Sequence, residues 1–249
     1  MKLILNLLLI TCFVLPARIF SQAYKISYSL TTIFDGEASR INYEQIANSE
    51  LNFALFRNIE NDEQHQREIQ SIDFSSHRGT NFTIYRPKDS LLVSTSFISG
   101  KLFNIKEKLP LYHPQKTGDK REVLGHTCEA YRIKFRGRIY RVWVTTELGI
   151  IGGIWKFVQF PGYALAAYSE DGEIAYEASN IRLLKALEDS ALENAKYRLT
   201  DFVSWEEYVD LFIENEKRLR KHFRAESDED VQLSHNTYRV EKIQLPAAH

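Results

Sequence analysis

Cysteine is the scarcest informative residue in this 249-residue chain, with only Cys12 and Cys128 present. Cys12 sits in an N-terminal apolar run that reads as a leader, so one thiol remains after its removal. An intramolecular disulfide is therefore excluded, and the fold must stand on its core. The chain also lacks a charge of one sign: 32 basic residues face 33 acidic ones. Removing Lys2 and Arg18 with the leader leaves 30 against 33, a net charge of −3. Such a balance gives no basic footprint for nucleic acid and no acidic tail. Apart from Leu3–Leu15 there is no long apolar run, so no transmembrane span is expected after the leader. Glycine-rich phosphate loops, G-x-S-x-G, H-E-x-x-H and C-x-x-C are all missing. No catalytic residue and no cofactor is assigned, and the reading leans away from an enzyme.

What is present begins with an address. Lys2 supplies positive charge, Leu3–Leu15 an apolar core, Pro16 a break and Ser21 a small residue before Gln22. This pattern predicts a signal peptide over 1–21 and an exported protein, periplasmic, outer-membrane-associated or secreted. Residues 22–249 are then read as one domain.

Period-two alternation follows. Tyr24, Ile26, Tyr28 and Leu30 share one side of a strand, and Leu51-Phe53-Leu55 and Phe82-Ile84 repeat the pattern. Turn signals at Asp35-Gly36, Asn58–Glu63, His77-Arg78-Gly79, Pro87-Lys88-Asp89 and Ser99-Gly100 separate the runs. A polar loop is expected over Pro110–Lys120. Two hairpins come next: Thr127–Phe135 with Ile139–Thr145 around Gly137, and Ala164–Ser169 with Glu173–Ser179 around Asp171-Gly172. Ser204 and Glu207 form a capping box before a helix at about 204–224, with Trp205, Tyr208, Val209, Phe212, Ile213 and Leu219 on one face. The tail from about 226 is acidic, then polar, and expected to be weakly ordered until Tyr238–Ile243. The fold class is α+β: a curved, mainly antiparallel half-barrel-like meander over about 23–185, with a C-terminal amphipathic helix.

Two clusters carry candidate chemistry. His126 and Cys128 lie two apart on a strand, on one face, with His113 in the loop before. These three are weak candidates for a zinc or copper site. For Cys128 burial, metal ligation and reactivity all stay open. The second cluster is aromatic: Trp143, Trp155, Phe157 and Phe160. It reads either as core packing or as the lining of an apolar groove, with Phe160-Pro161-Gly162 as its lip. Arg138, beside the hairpin glycine, could hold a carboxylate or phosphate or be a solvated turn residue. The candidate binding set is thus Arg138, Trp143, Trp155, Phe160, Pro161 and Gly162.

Four pieces in order resemble the GLPGLI family of exported Bacteroidota proteins. Leu124-Gly125-His126-Thr127-Cys128-Glu129-Ala130 is similar to its I-x-G-Y-x-C-x-K-A strand. Phe135–Trp143 is similar to its F-R-G-R-x-Y-x-A-W hairpin, and Gly153–Phe157 to G-P-x-K-F with Ile154 in place of proline. Gln159–Ala164 stands where the namesake hexapeptide belongs and keeps only Pro161 and Gly162. The resemblance implies an exported protein with no assigned reaction, and it draws attention to Cys128 and Arg138. By fold analogy alone, it brings to mind the half-open barrels of lipoprotein carriers that hold lipid chains. The leading expectation is a non-enzymatic envelope protein for a hydrophobic ligand or an outer-membrane partner. The alternative is a metal-handling periplasmic protein using His113, His126 and Cys128.

Overall fold

The computed structural model describes residues 22–34, 36–57, 82–184, 201–226 and 241–243. The expected leader, the turns at 58–63 and 77–79, and most of the C-terminal tail lie outside these residues. The backbone forms one curved, unclosed sheet with a single α-helix among the described residues. Its strands are β1 (Ala23–Phe34), β2 (Glu37–Ala47), β3 (Asn52–Arg57), β4 (Phe82–Arg86), β5 (Leu91–Ile98), β6 (Lys101–Lys108) and β7 (Gln115–Val123). They continue as β8 (His126–Phe135), β9 (Arg138–Thr145), β10 (Gly152–Gly153), β11 (Tyr163–Ser169), β12 (Ile174–Leu184) and β13 (Phe202–Ser204), and α1 spans Trp205–Glu226. Along the sheet the order is β13-β6-β5-β4-β3-β2-β1-β12-β11-β9-β8-β7, with β10 attached to β11. Two pairs, β13–β6 and β10–β11, are parallel, and the rest are antiparallel.

The expected hairpins form where the turn dipeptides placed them. β8 and β9 meet through Arg136-Gly137, at φ of 49° and 75°. Both are left-handed, as a two-residue turn matched to strand twist requires. One expectation needs correcting. Residues 115–120, read as part of a polar loop, belong to edge strand β7. Their side chains are all exposed, so no apolar alternation betrays the strand. An edge carrying Lys116, Lys120 and Arg121 also resists pairing with a foreign strand.

The register defines one continuous buried face. In one half, Tyr131, Val142, Ala167, Tyr176 and Leu30 stand in a row across β8, β9, β11, β12 and β1. In the other half, Ala47, Asn52, Tyr85, Leu92 and Glu107 continue across β2, β3, β4, β5 and β6. Tyr24 to Leu30 alternate along β1 and tie the two rows to the same side. This row of buried residues ends on a carboxylate, Glu107.

Two pieces of chain cover that face. The segment between β9 and β11 lays Trp155, Phe157 and Phe160 on the first half. Helix α1 lays Tyr208 and Phe212 on the second, against Ile98, Ile105 and Phe103. The capping box forms as the sequence predicts. The Ser204 N–H donates to Glu207 Oε2 at 2.6 Å, and the Glu207 N–H donates to Ser204 Oγ at 3.1 Å. Ile243, in the expected ordered end of the tail, packs into the helix cluster. No helix among the described residues is long and apolar enough to cross a membrane.

Candidate functional site

The aromatic candidates divide between the two faces of the sheet. Trp155 stacks on Tyr176 at 5.9 Å between centroids and meets Phe157 edge-on at 5.1 Å. Phe160 lies against Tyr112 and Tyr131. Together these rings fill the curve of the sheet, so the chain's own segment occupies the volume expected of a groove. Pro161 is exposed beside them. Gly162 faces backbone, and a Cβ there would stand 2.3 Å from the Thr145 carbonyl. Its role in this geometry is close packing on β9. Trp143 points the other way, its register partners being Ala130 and Ala166. The Arg121 guanidinium covers its ring at 4.6 Å and that of Tyr168 at 5.0 Å.

Arg138 is neither a solvated turn residue nor a free fork. It is 2% exposed and forms ion pairs with Asp171 and Glu173, both in the neighbouring hairpin turn. Lys242 joins them, 3.0 Å from Asp171. Burial raises the Asp171 pKa. Hydrogen bonds from Ser169, Lys242 and the Glu173 N–H, with the Arg138 charge, outweigh it and hold the carboxyl well below the usual range.

The three metal candidates do not converge. His113 is exposed. His126 Nδ1 meets Glu147 Oε2 at 3.1 Å. Cys128 is 0% exposed, and burial pushes its thiol up to about 11. No group of three His, Cys, Asp or Glu side chains among the described residues is placed to hold a metal.

The unexpected cluster lies where the two ends of the curved sheet approach. β6 is next to one end of the strand path and β8 next to the other. Across the gap, Arg136 in the β8–β9 turn pairs with Glu107 on β6. Lys156 pairs with Glu107 and also donates to Glu241 Oε1 at 2.6 Å, and Arg136 Nε lies 3.5 Å from the same oxygen. Lys156 is 1% exposed. Trp205, at the start of α1, takes the Arg136 guanidinium on its ring at 3.6 Å and the Lys156 ammonium at 4.8 Å. Burial raises the Glu241 pKa and repulsion from Glu107 adds to this, while Lys156 and Arg136 oppose it. Two cations and two carboxylates thus compensate one another, as buried charge must.

Residues 241–243 complete this seam. The Lys242 N–H donates to the Arg136 carbonyl at 3.1 Å, and Lys242 Cβ lies over Gly137, where an added Cβ would stand 2.8 Å away. Sequence reading missed Glu107, Lys156 and Glu241. One signal was available: a lysine inside the aromatic run Trp155-Lys156-Phe157 needs a buried partner.

Beside the network opens a cleft of about 820 Å3. Leu111, Phe135, Trp205, Val209 and Ile243 give it apolar surface, and Lys108, Lys134, Arg136 and Lys242 give it positive charge. Glu206 is the one acidic residue in its lining.

No protein-family model and no curated protein matches this chain. Among solved structures, PNGF-II in its C2 and P21 space groups gives a TM-score of 0.54 at 18% identity. The match covers 78% of this chain but only 33% and 34% of those chains, so this chain spans about a third of PNGF-II. A LolA superfamily protein from Nitrosomonas europaea gives a TM-score of 0.30 at 10% identity, over 68% of this chain and 89% of that one, too low to equate the folds. At such identities the likeness to PNGF-II is one of fold: the curved sheet described here is similar to a part of PNGF-II.

Proposed function

We propose that this chain is an exported, non-enzymatic binding protein of the bacterial envelope, and that its site is the cleft at the seam of the sheet. The carrying observation is the cleft itself: about 820 Å3, with aromatic and aliphatic side chains set among basic ones. That volume lies within the several hundred to about 1,000 Å3 of small-molecule sites. Export is supported by the leader-like pattern of residues 1–21. Membership of the GLPGLI family is supported by the four ordered pieces between Leu124 and Ala164. The occupant in this reading is a hydrophobic molecule, or an apolar segment of an outer-membrane partner, lying on Trp205, Val209 and Ile243.

A hydrophobic dye whose emission shifts to the blue on leaving water tests the site. The protein is expected to bind it, and Val209→Arg is expected to weaken binding by about tenfold or more while the circular dichroism stays unchanged, since an arginine would stand in the apolar wall. Equal dye affinity in the variant would remove the cleft from the reading.

A further inference from the structure

The charge around the cleft is not evenly spent. Arg136 and Lys242 both face it, but each is already paired: Arg136 with the buried Glu107 and with Glu241, Lys242 with the part-exposed Asp171 and Glu173. Arg136 cannot turn to a ligand without weakening the compensation of Glu107 and Glu241, and Lys242 would give up its own pairs to do so. Lys108 and Lys134 differ. Both are exposed, both line the cleft, and neither has an ion-pair partner among the described residues. They come from opposite ends of the sheet, Lys108 from the end of β6 and Lys134 from β8 just before the Arg136-Gly137 turn. Both line the same cleft at the seam. Against them the cleft sets only Glu206. Beside them, the side chains of Leu111, Trp205, Val209 and Ile243 are apolar apart from the Trp205 indole N–H.

We infer that the cleft takes an anionic amphiphile: one carboxylate or phosphate head held between Lys108 and Lys134, and an apolar body lying on Trp205, Val209 and Ile243. This rests on the cleft being the binding site. The chemistry selects by charge at the lysines and by apolar contact beside them. Lysine suits the first task, because an ammonium on a flexible stem reads an anion as a point charge without demanding bidentate geometry. A free fatty acid and an anionic phospholipid head share this chemistry.

Calorimetric titration of the purified protein with four dodecyl probes tests it: laurate, dodecyl phosphate, dodecyltrimethylammonium and dodecyl maltoside, each below its micellar concentration. Laurate and dodecyl phosphate are expected to bind about tenfold or more tighter than the cationic and neutral probes. The double variant Lys108→Glu/Lys134→Glu changes two exposed side chains and is expected to lose laurate by a similar factor and gain dodecyltrimethylammonium. Equal affinity for the anionic and cationic probes, or unchanged laurate binding in the double variant, would overturn the inference. Inorganic phosphate binding as tightly as dodecyl phosphate would overturn the amphiphile. Loss of charge selectivity with dye binding still sensitive to Val209→Arg would leave the site standing and remove only its ligand class. If no dodecyl probe and no dye binds, both readings fall. Flotation with phosphatidylglycerol and phosphatidylcholine vesicles separates the sources. Capture by the former alone, lost in the double variant, assigns the head to membrane lipid, and binding of free laurate without vesicle capture assigns it to a monomeric amphiphile.

Discussion

The aromatic half of the covered face and the seam solve the same problem in opposite ways. Over β8, β9 and β12, the chain closes the curve with rings: Trp155, Phe157 and Phe160 against Tyr140, Tyr176 and Tyr131. At the seam between β6 and the β8–β9 turn, it closes with charges: Glu107, Arg136, Lys156 and Glu241 around Trp205. The aromatic half gains from area and tolerates change in proportion to the volume lost. The charged seam gains only as a complete set, because each member's burial is compensated by the others. That contrast explains why the open cleft lies at the seam: rings pack until no space is left, whereas an ion network leaves its rim wet.

The comparison can be broken most sharply at Lys156. Lys156→Met keeps the stem and removes the charge, leaving Glu107 and Glu241 buried together with only Arg136. A loss of about 3–5 kcal/mol is expected in urea unfolding at neutral pH. Replacing the set together, with Glu107→Leu, Glu241→Leu and Arg136→Met added, is expected to restore most of that loss. If the quadruple variant is as unstable as the single one, the network is more than mutual compensation. Trp155→Phe in the aromatic half is expected to lose less, about 1–3 kcal/mol, because a ring remains against Tyr176.

Acid sharpens the difference further. The Asp171 carboxyl is held below its ordinary value, so its pairing with Arg138 and Lys242 contributes stability that is present above the unfolded carboxylate range and lost as pH falls through the lower folded value. Stability is expected to fall on acidification below about pH 4, and Asp171→Asn to flatten that part of the profile. An unchanged profile in the variant would place the acid sensitivity elsewhere. The smallest effect concerns Cys128: buried, with its thiol pushed up to about 11, it is expected not to react with a thiol reagent at pH 8 unless the protein is unfolded.

Local chemistry wrote most of the sheet into the sequence. The β8–β9 and β11–β12 hairpins follow from glycine-containing turns between alternating runs, and the helix from Ser204 and Glu207. β7 was illegible because an edge strand in water has no buried side to alternate with. The site was less legible still. Phe160, Trp155 and Trp143 were visible as aromatics, but only the register shows that Trp143 faces away from the other two. Arg138 and Lys156 could be recognised as anomalies without their partners being named, since Lys156 and Glu241 are 85 positions apart and meet only through the curl of the sheet. Clefts made at such junctions leave no spacing to read.

The seam has a further consequence, in time rather than in space. The ladders from β1 to β13 form between strands joined by backbone hydrogen bonds, but β6 and the β8–β9 turn are joined through the side chains of Glu107 and Arg136. The seam is completed by Glu241 and Lys242, near the chain's last residues. β6 and β8 lie near opposite ends of the strand path, so their approach follows the curling of the sheet between them, and the seam is expected to set late in folding. Substitutions in it should therefore hasten unfolding and leave the folding rate nearly untouched. An opening at the seam would break no strand ladder among the described residues.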